Sequence, residues 1–102
     1  MMDMSRHQTA AREAHEVNRF QFIVTELDLA ITFCEIAITA ADDEKAVRNA
    51  QNAKRAYNSA THFLWDASLT VDMGREIEQR MTLLAPMLHE LDLRQGWDGA
   101  GR

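Results

Sequence analysis

Apolar residues recur along this chain at alternating spacings of three and four, and two polar interruptions divide it into three helical segments. The first segment carries Val17, Phe20, Val24, Leu27, Ile31, Cys34 and Ile38 on such a seam, the heptad pattern of a helix that packs along its length. Ser5-Arg6-His7-Gln8 fits a capping box and predicts a start at Ser5, with the helix running to about Ala40. A straight helix of that length spans roughly 50 Å. It outruns its partners, so residues 1–15 are expected to overhang or fray.

The second segment starts at Asp42, an N-cap type, with Asp43 and Glu44 placed to favour the helix dipole, and ends near Asp66. Its seam is Ala46, Ala50, Ala53, Tyr57, Ala60 and Leu64. Thr70 predicts the N-cap of the third segment, which carries Ile77, Met81, Leu84, Leu88 and Leu91 and ends near Arg94 before Gly96. Pro86 removes one backbone donor and predicts a kink, on a side turned away from the core. Residues 95–102, with three glycines and Trp97, read as a loose tail.

Folding the chain back at residues 40–42 brings the first two seams into register. Ile38 meets Ala46, Cys34 meets Ala50, Ile31 meets Ala53, Leu27 meets Tyr57, Val24 meets Ala60 and Phe20 meets Leu64. Large residues mostly oppose alanines, which lets the axes approach and fills each layer. On one flank Asp28 is expected to pair with Lys54. On the other flank Ile23, Ala30, Ala37, Ala56 and Phe63 form an apolar groove for the third helix. The expected fold is all-α: one domain over 1–102, an antiparallel hairpin with a long first helix and a third docked helix, making a three-helix bundle.

The first helix is apolar on more of its circumference than two neighbours need. Phe22, Leu29 and Ile36 recur every seven residues away from the seam, with Phe33 beside them. A shifted third helix, a folded-back N-terminus or a second chain would each cover them. The expectation is the second chain, a homodimer through the first helix with Phe22, Leu29, Phe33 and Ile36 as its interface.

Ala53-Lys54-Arg55-Ala56-Tyr57-Asn58-Ser59-Ala60 resembles the second helix of a tetratricopeptide unit in its Ala…Tyr…Ala spacing. The stretch from Phe22 to Leu91, including ELDLAITFCEIA and NAKRAYNSATHFL, resembles a group of short, uncharacterised bacterial helical-bundle proteins. That resemblance implies the fold and no activity.

Composition narrows the function classes. The 102 residues carry a net charge of −5, which opposes nonspecific nucleic-acid binding. Cys34 is the lone cysteine, so an intrachain disulfide and a cysteine-rich metal site are excluded. The chain shows no signal peptide and no apolar run long enough to span a bilayer, and it reads as cytoplasmic with no membrane role. The histidines, His7, His15, His62 and His89, lack metal-ligand spacing, and no cofactor is expected.

Two histidine chemistries compete with a non-catalytic interaction or oligomerisation module. Arg55 and His62 share a helical face with six residues between them, a spacing that resembles the Arg-x(4–6)-His signature of the HEPN nucleases. That resemblance implies RNA cleavage, with the imidazole acting on the ribose hydroxyl and the guanidinium on phosphate. The same two residues belong to the polar stripe Lys45, Arg48, Asn52, Arg55, Ser59 and His62, the ordinary outer face of an amphipathic helix. His62 also resembles the phospho-acceptor of helical phosphotransfer domains. Trp65 and Asp66 stand where their lysine and glycine would be.

Overall fold

The computed structural model describes residues 2–95, with side chains described from Ala10 to Arg94. Three helices follow in order: α1 (Met2–Thr39), α2 (Asp43–Leu64) and α3 (Val71–Gln95). The tail expected beyond Gln95, including Trp97, lies outside the described residues, as do the side chains of the Ser5–Gln8 capping box. The helix itself reaches back to Met2, so Ser5 is inside it rather than at its cap. α1 is one continuous helix, so its N-terminus does not fold back as a fourth.

The two predicted caps are in place. Asp42 has extended backbone and its carboxylate accepts from the Glu44 amide at 3.2 Å. Thr70 Oγ1 accepts from the Met73 amide at 3.1 Å. Each satisfies a donor that the first helical turn leaves open. Pro86 lies inside α3 and is exposed, where its missing N–H opens no buried gap.

α1 is the central element. It packs extensively on α2 and less on α3, whereas α2 and α3 barely touch. The fully buried residues of α1 are Ile23, Leu27, Ala30, Cys34 and Ala37. The expected seam residues Phe20, Val24, Ile31 and Ile38 are half-buried against that core, and Val17 is exposed. On α2 the expected alanines Ala50, Ala53 and Ala60 are buried, joined by Ala56. On α3 the buried residues are Ile77, Leu84 and Leu91, with Met81, Met87 and Leu88 packed beside them. Burial of each large aliphatic side chain contributes about 1.5–3 kcal/mol before the entropy cost of ordering it.

The hairpin register is close to the expected one. Phe22 and Phe63 meet edge to face at 4.7 Å, and Arg19 donates to Asp66 at 2.7 Å. Both contacts fall within one residue of the register read from the seams. Ala10 to His15 of α1 are exposed, and Arg12 and Glu13 line a cavity with Ser68, Leu69, Thr70 and Met73.

The position of α3 differs from the sequence expectation. Asp28 accepts from Arg80 Nε at 2.8 Å rather than pairing with Lys54, and Lys54 instead lies 3.2 Å from Asp92. Arg94 reaches the Ile38 carbonyl at 3.1 Å. These contacts place α3 on the Asp28 and Lys54 flank, opposite the flank of Phe63. Ile23, Ala30, Ala37 and Ala56, the groove expected to receive α3, are nonetheless buried.

Candidate interaction surface

With α3 on that flank, the opposite side of α1 has no third helix over it. Asn18, Phe22, Thr25, Leu29, Phe33, Ile36 and Ala40 succeed one another there at spacings of three and four and carry no charge. Phe22 and Leu29 are each 40% exposed. Phe33 and Ile36 are half-buried, and Phe33 leans on the core. The row of four side chains is thus only partly exposed within one chain, with Leu29 at its centre and Phe22 resting one edge on Phe63. Phe63 is itself 40% exposed and widens the strip towards α2.

Beside this strip runs the polar stripe of α2. Lys45, Arg48, Arg55 and His62 are exposed, and Asn52 and Ser59 are half-buried. Arg55 donates to Asn52 Oδ1 at 3.1 Å, one turn towards the helix N-terminus. His62 lies two turns the other way, with its ring edge-on to Phe63 at 5.3 Å. The Arg55 guanidinium thus points away from His62. The shallow depression that Arg55 lines is shared with Gln51, Lys54 and Asn58, not with His62. The structure places the two residues on one face, as their spacing requires, and does not bring them around a common space for substrate.

Asn49, between these features, was not singled out by the periodicity. It is buried, and its Nδ2 donates to the Lys45 carbonyl at 2.9 Å, which satisfies a polar group that would otherwise destabilise the hairpin. Cys34 is fully buried, and desolvation, followed by the neighbouring Glu35 charge, pushes its thiol up to about 11. Its thiolate is disfavoured and so is nucleophilic use of it. Arg80, bonded to Glu76 and to Asp28, is held above the ordinary guanidinium range by those two hydrogen bonds, so its own half of the contact to α1 stays charged.

Among the described residues no three His, Cys, Asp or Glu side chains are grouped to hold a metal ion. No helix of the described residues is long and apolar enough to cross a membrane. No protein-family model, curated protein or solved structure matches the chain. The tetratricopeptide and bacterial helical-bundle resemblances gain no support from these comparisons, and the function rests on the side chains.

Proposed function

We propose that this chain is a non-catalytic helical interaction module that forms a two-fold homodimer through α1. The observation that carries the reading is the uncharged strip from Asn18 to Ala40, left uncovered after α3 has docked elsewhere. Large apolar side chains in a row on a small domain are a common mark of an association surface.

A second copy fits the strip by its own pattern. An antiparallel pairing about Leu29 puts Leu29 against Leu29, Phe22 against Ile36 of the second copy, and Thr25 against Phe33 of the second copy. No residue of the strip is ionised, so the burial carries no unpaired-charge penalty. The pairing is isologous and closes on itself. Cytoplasmic residence fits a module of this kind and is part of the same proposal.

Cysteine cross-linking tests it. Leu29→Cys puts one thiol from each copy at the two-fold axis, within disulfide reach. Mild oxidation should give a covalent dimer. Leu93→Cys, exposed on α3, should not, and the native Cys34 is buried out of reach. Equal cross-linking of the two variants, or none in either, would contradict the proposed pairing.

A further inference from the structure

Charge is unevenly placed along the chain. From Lys45 to Leu64, α2 holds Lys45, Arg48, Lys54 and Arg55 and no acid, in a chain whose net charge is −5. On the other helices Arg19 pairs with Asp66, Arg75 with Asp72, Arg80 with Asp28 and Glu76, and Arg94 with Glu90. Lys54 turns to Asp92 of α3.

Lys45, Arg48 and Arg55 are exposed and form no ion pair among the described residues, although Glu44 stands one turn before Arg48. Arg48 and Arg55 share a face of the helix two turns apart, about 10 Å along its axis. Asn52 lies between them and accepts from Arg55 at 3.1 Å, which steadies that guanidinium along the helix. A row of exposed cations with no counter-charge on its own helix attracts carboxylates within about 8–10 Å at physiological salt.

We infer that the outer face of α2 docks an acidic helical segment of a protein partner, whose carboxylates recur every seven residues and meet Arg48 and Arg55 together. Seven residues of a partner helix rise as far as the step from Arg48 to Arg55, the arrangement by which charged flanks of paired helices recognise each other. Each guanidinium can give a carboxylate two parallel N–H donors. A nucleic acid fits this face less well. It carries charge along its whole length, and the acids that make the chain negative lie on either side of this one helix. Lys45, Arg48 and Arg55 are not part of the α1 strip, so the inference does not rest on the dimer.

The test is fluorescence anisotropy of labelled, alanine-rich helical peptides of about 20 residues, long enough to hold a helix in water, titrated with the full chain at low salt. One peptide carries Glu at every seventh position, a second carries Gln in those places, and a third carries the same Glu residues side by side. The spaced-Glu peptide should bind saturably and more weakly as salt is added. The Gln peptide should bind at least about tenfold more weakly, and the side-by-side peptide at least about threefold, because it reaches only one of the two arginines. The Arg48→Gln, Arg55→Gln double variant should lose about tenfold in affinity for the spaced-Glu peptide, the loss of two exposed ion pairs, with its circular dichroism unchanged. Arg75→Gln, an exposed cation of α3, should leave the affinity as it is. Absence of saturable binding, equal binding of the spaced-Glu peptide and either of the others, or an equal loss in Arg75→Gln would each overturn the inference. Tighter binding of an oligouridine RNA of the same charge would overturn it in favour of a nucleic acid.

Discussion

Arg80 Nε donates to Asp28 Oδ1 at 2.8 Å, and this contact marks which flank of the α1–α2 hairpin α3 occupies. Arg80 is three-quarters buried and also bonds Glu76 at 2.9 Å, so it is held in place from its own helix before it reaches α1. A double-mutant cycle on Asp28 and Arg80 should give a coupling energy of up to about 1 kcal/mol, the range for partly exposed pairs, and it should shrink as salt is added. The same cycle on Asp28 and Lys54 should give none. Coupling in the second cycle alone would return α3 to the other flank.

That contact also shows what the sequence could and could not yield. The three helices, both caps, the turn and the burial of Leu27 and Cys34 in one core with the alanines of α2 follow from periodicity, because burial and spacing are coupled on a helix. The flank taken by α3 does not follow. α1 offers apolar residues on both sides of its buried line, Ile23, Ala30 and Ala37 on one and Val24, Ile31 and Ile38 on the other. The two placements are near mirror images in apolarity. The choice shows in Arg80, Lys54 and Asp92, long or charged side chains whose partners lie about fifty or about forty residues away in sequence, and helical spacing says nothing of such pairs. The α1 strip was legible in residues but not in degree, since the burial of Phe33 depends on how closely the alanines of α2 let it approach.

Alanine at the α1–α2 interface makes a second prediction. Ala53 is fully buried, and Ala53→Leu adds three carbons inside the core. The variant should lose about 1–3 kcal/mol by overpacking, measured by urea denaturation. An unchanged midpoint would mean that the helices are further apart than the burial of Ala53 implies.

Cys34 makes a third. Its folded pKa of about 11 lies above the ordinary 9.0. The protonated thiol therefore stabilises the fold fully below about pH 9 and progressively less as pH rises through 11. Iodoacetamide at about pH 8 should leave the native protein unmodified and label it on unfolding, since the thiolate is the reactive form. Rapid native labelling would contradict the burial.

His62 makes a fourth. It is exposed and touches only the edge of Phe63 among the ring contacts described. His62→Ala should change stability by less than about 0.5 kcal/mol. Purified protein incubated with a labelled RNA should leave it intact whether or not His62 is present. Cleavage that disappears in the variant would replace the interaction module with a nuclease.

The proposed dimer is tested most directly by solution mass. Multi-angle light scattering at tens of micromolar should give twice the 11.6 kDa chain mass for the native protein. The Leu29→Glu, Phe33→Glu double variant should give the single chain mass, because two charges would be buried without partners. A native protein that stays at 11.6 kDa, or a double variant that still doubles it, would contradict association through this face of α1.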